Sequence, residues 1–449
     1  PPRSTLFPYT TLFRSNSAGY VPRYHVPANQ VISELNNYML VDGFDLVLDL
    51  ERSFDSHLYD QRAGKKFTDF FTCFASVPLG LNHPKMADEG FVKYLASAAM
   101  NKPSNSDIYT EQMATFVKTF FKVAVPDYFK YSFFICGGAL AVSNALKTAF
   151  DWKHRKNLAK GLPDTDGTNL KIMHFEQAFH GRSGYTMSLT NTDPMKIEYF
   201  PKFNDWPRII NPKMAFPFEG ANVDRTIELE QKAIQQMKEA FAKYPNDIAA
   251  IILEPIQGEG GDNQFRPEFL RVLRQLADEN EALLIFDEIQ TGVGITGEMW
   301  AHQLYDVRPD IMTFGKKMQV CGILAGERLD EIPDHVFKVS SRINSTWGGN
   351  LVDMVRSTRY LEIIEEDNVL ENVRAVGSKL QDKLFEMEKE FPTLISNVRG
   401  KGMFCAYDLP TAELRDAFRG KCYENGLIIL GCGEKSIRFR PALNMHVDQ

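Results

Sequence analysis

The sequence predicts an α/β protein in which a large domain with a mostly parallel central sheet is joined to a smaller α+β domain. Between about residues 82 and 350, short apolar runs alternate with helix-length amphipathic segments, the pattern of crossover units feeding a parallel sheet. From about 351 the order changes to long amphipathic helices followed by strand, helix and strand. At 449 residues the chain exceeds the size at which one hydrophobic core keeps growing, so more than one domain is expected.

Residues 1–15 are set apart as an adapter-derived artefact, because LFPYTTLFRS (6–15) reads like one frame of a sequencing-adapter oligonucleotide. Residues 16–81 are expected to contribute to the small domain; their aromatic patch FTDFFTCFASVPLG (67–80) ends in turn residues and carries no legible function. The large domain, 82–350, offers strands at YSFFI (131–135), LKIMHF (170–175), AAIILEP (249–255), ALLIFDE (282–288) and IMTFG (311–315). Between them, 139–152, 226–244 and 265–280 each keep an apolar stripe with polar residues opposite, as surface helices do. The C-terminal small domain, 351–449, opens with helical text at 368–391 and continues through GMFCAYDL, a helix starting at Pro410–Thr411, and LIIL…SIRFRP. The chain stops at RPALNMHVDQ with no closing helix, so this domain is expected to be truncated at its end.

Composition narrows the function classes. With 44% hydrophobic and 24% charged residues and a formal net charge of −7, there is no basic excess to attract nucleic acid or an anionic membrane surface, so the expected partner is a small molecule. The longest apolar runs, such as those containing AAIIL and ALLIF, fall far short of the roughly 20 residues that cross a bilayer. Six scattered cysteines form no C-x-x-C pair, which suggests neither a metal site nor a disulfide framework and fits a reducing cytoplasm.

Three motifs carry chemistry. In CGGALAVSNALKTAF (136–150) a glycine pair leaves a strand and opens into a helix, where free N–H groups and the positive dipole end can hold an anion; such turns also close crossover units without binding anything. In ALLIFDEIQTGVG (282–294) an apolar strand ends in Asp287, Glu288 and then Gln290; the carboxylate either faces the crevice at the strand ends or merely caps a helix. In PDIMTFGKKMQVCG (309–322) two lysines come after a further strand, and strand alternation alone puts them on opposite faces without saying which face matters. An amine, an acid and an anion cradle at neighbouring strand ends match the aldehyde, the pyridine nitrogen and the phosphate of pyridoxal 5'-phosphate. A nucleotide-binding α/β protein using the glycine turn is the rival from another class.

Longer stretches carry a resemblance. ILEPIQGEGG, LLIFDEIQTGVGITG, DIMTFGKK and STWGGN are similar to the class III aminotransferases. Within that class FICGGALAVSNALKTAFDWK, FHGRSGYTMSLTNTDP and FPKFNDWPRI resemble the branch that moves the ε-amino group of L-lysine to 2-oxoglutarate, giving 2-aminoadipate 6-semialdehyde and L-glutamate. Other members acting on ornithine, acetylornithine or 4-aminobutyrate are the nearest alternatives. The resemblance implies a fold-type I transferase that depends on pyridoxal 5'-phosphate, a cytoplasmic homodimer with shared active sites, and a ping-pong reaction. It implies that Lys316 holds the cofactor and shuttles protons, and that Asp287 pairs with the ring nitrogen. It also implies that Gln290 bonds the phenolic side, Phe179 stacks on the ring, Gly138 and Ala139 give N–H groups to the phosphate, and Thr346 reaches the neighbouring subunit's phosphate. Arg438 and Arg182 match the family's carboxylate anchors, Glu259 an acid that pairs with Arg438 or moves aside, and Asn344 a further carboxylate contact. This chain departs from the usual pattern at Cys136 and Ser143, where an acid or polar residue and a glutamate are more common.

Overall fold

The computed structural model describes residues 20–449, so the adapter-like stretch 1–15 lies outside the described residues. Its centre is a seven-stranded sheet in the order 129–135, 321–326, 311–314, 283–287, 248–253, 171–175, 208–209. Neighbours from 311–314 to 208–209 run parallel, while 321–326 lies antiparallel between 311–314 and 129–135. That antiparallel strand, CGILAG, was not among the strands expected from the sequence. The central strands IAAIIL and LLIFD are buried throughout, as strands covered on both faces by helices must be.

The helices on the sheet are Gly138–Ala159, Ala221–Lys243 and Pro267–Glu279. The first runs seven residues past its expected end at Trp152. Its polar tail is held by tertiary contacts: Lys153 Nζ donates to the Glu281 carbonyl at 2.8 Å and Asn157 Nδ2 to that of Asn246 at 2.8 Å.

Beyond the sheet, helices Leu351–Glu366 and Val369–Glu390 lead to an antiparallel four-stranded sheet in the order 396–401, 404–408, 436–439, 430–432, with helix Ala412–Glu424 inserted. A third sheet joins 57–59 and 66–69 to 427–428, so the N-terminal segment pairs with the C-terminal part of the chain. The aromatic patch contains four successive residues in the left-handed region, Thr72, Cys73, Phe74 and Ala75 (φ 39°, 51°, 59° and 64°). Asp69 Oδ1 starts this turn by accepting the N–H groups of Phe71 and Thr72 at 2.8 and 2.9 Å. The turn is tied at both ends. Thr72 Oγ1 donates to the Arg440 carbonyl at 2.7 Å, and Gln319 Nε2 donates to that of Ser76 at 2.7 Å. Among the described residues, no helix is long and apolar enough to cross a membrane, and no cluster of His, Cys, Asp or Glu is suited to hold a metal ion.

Candidate active site

Parallel strands that share a direction bring their carboxyl ends to one edge, and that edge builds the site. Asp287 is the last residue of 283–287, Lys316 comes just after 311–314, Gly138 after 129–135, and Phe179 after 171–175. Together with Ala139, Arg182, Glu254, Gln290 and Cys321 they line a cavity of about 640 Å³, to which the patch 67–80 adds Ser76 and Val77.

The Asp287 side chain is held in one orientation. Register places it opposite Thr313 on the neighbouring strand, so their side chains share a face. Thr313 Oγ1 donates to Oδ1 at 2.9 Å, the Ile289 N–H donates to the same oxygen at 3.1 Å, and His180 Nδ1 stands 2.8 Å from Oδ2. An ionised carboxylate only accepts, so opposite such a group Nδ1 is the donor. Glu288, the next residue, turns to the opposite face and accepts the N–H groups of Ala301 and His302, both at 2.8 Å. The adjacent acids therefore divide into one at the cavity and one that caps a helical turn.

The two lysines divide in the same way. Lys316 (φ 47°) lines the cavity, while Lys317 is buried with Nζ 2.8 Å from the Gln290 carbonyl and 3.5 Å from that of Ala75. Lys317 is thus an internal tie beneath the site. The Lys316 amine is lowered from its ordinary 10.5 to about 8, chiefly by burial and then by the guanidinium groups of Arg438 and Arg440, with Glu259 and Glu254 opposing.

Helix Gly138–Ala159 starts at the cavity without a side-chain cap. Gly137, at φ 105°, makes the turn that aims its first N–H groups there. Gln290 is fixed by Arg440, whose Nη2 and Nε donate to its Oε1 at 2.8 and 3.1 Å. Gly258 allows that placement, since a Cβ there would stand 2.4 Å from the same oxygen. Arg440 also pairs with Asp262, Nη1 to Oδ2 at 2.9 Å, and lies 3.4 Å from the Phe404 ring centroid. Glu254 accepts the N–H groups of Phe179 (2.9 Å) and Gly258 (3.0 Å), and burial pushes its carboxyl up to about 7. Arg182 is exposed on its own chain, with Cζ 5.9 Å from the Phe179 ring centroid.

Arg438 approaches from the small-domain strand 436–439, two residues from Arg440 and so on the same face. It is 2% exposed, and its Nη2 donates to Glu259 Oε2 at 2.7 Å. Lys196 Nζ donates to the other oxygen of Glu259 at 2.7 Å, and the two cations hold that carboxyl at about 2 despite its burial. Asn344 and Thr346 are not brought to this cavity; both are exposed, and Asn344 Oδ1 accepts the Ser345 N–H at 2.7 Å.

His180, Glu254, Lys196 and Arg440 were missed from the sequence. The first three stand in the family-like motifs or close beside them, but their partners are distant in the chain. Only the alternation Arg438, Arg440 in SIRFRP could have pointed to the fourth.

The donor set fits pyridoxal 5'-phosphate: a cavity amine, a carboxylate fixed by three donors, an uncapped helix start and an aromatic face. These features define an α/β transferase built around that cofactor. The family model for class III aminotransferases matches residues 39–449, and the chain belongs to that pyridoxal phosphate-dependent family. It is 50% identical over 418 residues to the L-lysine-epsilon aminotransferase of Mycobacterium tuberculosis H37Rv, covering 93% of this chain and 92% of that protein. The L-lysine-epsilon aminotransferase of Streptomyces clavuligerus is 49% identical over 423 residues, with 93% and 91% covered. Among solved structures, lysine aminotransferase from M. tuberculosis in the internal aldimine form superposes with a TM-score of 0.91 at 48% identity, covering 94% of this chain and 96% of that one.

Proposed function

We propose that the chain transfers the ε-amino group of L-lysine to 2-oxoglutarate by a ping-pong mechanism, giving 2-aminoadipate 6-semialdehyde and L-glutamate. Similarity to two L-lysine-epsilon aminotransferases over more than nine-tenths of the chain supports the substrate. The observation that carries the reading is the pair of buried Arg438 with partly buried Glu259, whose charges both act on the Lys316 amine. Paired, it offers a neutralised wall to the methylene chain of a lysine; opened, it offers a guanidinium to a dicarboxylate.

Lys316 would hold the cofactor through its amine, Gly138 and Ala139 its phosphate, Phe179 its ring face, Gln290 its phenolic side and Asp287 its ring nitrogen. When bound, the cofactor supplies an aldehyde that reacts with amines and a cationic ring that takes up electrons. Asp287 would stand beside the ring nitrogen and stabilise positive charge there, with His180 and Thr313 preventing its rotation. With the cofactor bound, Lys316 would be the base that takes the proton from the carbon bearing the ε-nitrogen and later delivers one. An amine lowered to about 8 can do both near neutral pH.

Arg182 would take the α-carboxylate of lysine or the distal carboxylate of the diacid, and Arg438 the α-carboxylate of 2-oxoglutarate. Asn344 and Thr346, exposed on their own chain, would complete the site of a second copy, making the active species a cytoplasmic homodimer. Sizing in solution tests the dimer, and a monomer with full activity would refute it. The reaction is tested with L-lysine labelled at the ε-nitrogen. Label in glutamate is expected, and unlabelled glutamate formed from the α-amino group would overturn the reading. Ornithine, one methylene shorter, should react roughly 10–200-fold less efficiently.

A further inference from the structure

Glu259 bridges two cations. Lys196 Nζ and Arg438 Nη2 each lie 2.7 Å from a different carboxylate oxygen. Lys196 is brought there by the short turn Pro194–Lys196, which Asp193 starts by accepting the Met195 N–H at 3.0 Å. The remaining donors of Arg438, Nε and Nη1, are buried and without a partner among the described residues. A guanidinium has two edges that can grip a carboxylate with two parallel bonds, Nε with Nη2 and Nη1 with Nη2. Both edges include Nη2, the one nitrogen that Glu259 occupies. Nη2 has one hydrogen on each edge, so an edge stays open, but a carboxylate arriving there competes with Glu259 for the single positive charge of Arg438, and repulsion between the two carboxylates favours release of Glu259. A mostly buried carboxylate that loses its cation is strongly disfavoured unless another charge remains.

We propose that Lys196 is the positioning residue that lets this site accept the dicarboxylate, by keeping Glu259 neutralised when the co-substrate's α-carboxylate takes Arg438. This rests on the transaminase reading of the same site. With lysine bound, Glu259 spans both cations; with the diacid bound, it stays on Lys196 alone, and each of the two carboxylates has one cation. Without Lys196, Glu259 and the diacid's α-carboxylate share the one positive charge of Arg438.

The test uses the holoenzyme and glutarate, an unreactive five-carbon diacid, with binding measured by calorimetry. In Lys196→Met the Kd for glutarate should rise about 30-fold, while kcat/KM for L-lysine in the first half-reaction changes less than about threefold. Lys196→Arg should restore most of the glutarate affinity, and Lys196→Gln provides a second neutral variant should the methionine form not fold. Equal loss for glutarate and lysine, or unchanged glutarate affinity, would overturn the proposal. Absence of ε-deamination by the unaltered enzyme would instead sink the transaminase reading, an outcome that the calorimetric comparison keeps separate.

Discussion

The two ends of the cavity are built on opposite principles. At the sheet end, Asp287 is fixed by three donors from separate segments, one on a neighbouring strand. At the small-domain end, Glu259 is divided between Lys196 and Arg438, and Arg438 has two buried donor nitrogens with no partner among the described residues. The first arrangement is pinned from three sides; the second is shared between two cations, one of which has donors to spare. The difference matches what a ping-pong enzyme needs, since the same chemistry is done twice while two differently shaped substrates are recognised in turn.

The sharpest way to break the fixed end is Lys316→Ala. Turnover should fall by roughly 10³-fold or more, the contribution of a positioned nucleophile and proton carrier. Borohydride treatment followed by denaturation should leave no cofactor attached to the variant, and attached cofactor would show that another amine holds it. Asp287→Asn keeps the shape and removes the charge, and should cost about 10²–10³ in kcat, read by single-turnover kinetics with L-lysine.

A third measurement exploits the lowered amine. Below about pH 8 the Lys316 side chain is mostly an ammonium and not a nucleophile; above it, the free amine predominates. Capture of pyridoxal 5'-phosphate by cofactor-free protein should accelerate about 100-fold between pH 6 and 9 and level off above pH 8. A rate still climbing tenfold per unit at pH 10 would mean an unperturbed lysine.

At the divisible end, Arg438→Lys removes the planar fork but keeps the charge. The KM for 2-oxoglutarate should rise about 30-fold, with a smaller effect on lysine. The smallest effect on turnover is expected for Lys317→Met. It leaves the carbonyls of Gln290 and Ala75 without their donor, at a cost of roughly 1–3 kcal/mol in stability. Thermal unfolding should show that loss, while borohydride-fixed cofactor persists.

Much of the fixed end was legible in the sequence because it lies at the ends of apolar strands. LLIFD and IMTF announce themselves as buried strands, and the residues at their C-terminal ends stand at the carboxyl edge of the sheet. Strand 321–326 was not legible, since CGILAG is short, has glycine near both ends and lies close behind the lysine pair. The tail of helix Gly138–Ala159 was hidden because its polar side chains are stabilised by carbonyls about a hundred residues away in the chain. The same reason hid Lys196, 63 residues from Glu259, and Arg440, 150 residues from Gln290. Local patterns report burial and turns, whereas a polar network exists only once distant segments have met.

The left-handed turn at 72–75 gives the N-terminal segment a mechanical duty. Through Thr72 it grips the strand end that carries both buried arginines, and through Ala75 and Ser76 it grips the lysine loop. It works as a keystone between the two halves of the pocket, held by partners that belong to neither its own strand nor its own helix. Its outer side chains, Cys73 and Phe74, are exposed, so a thiol label at Cys73 would sit directly on a tie between the two halves.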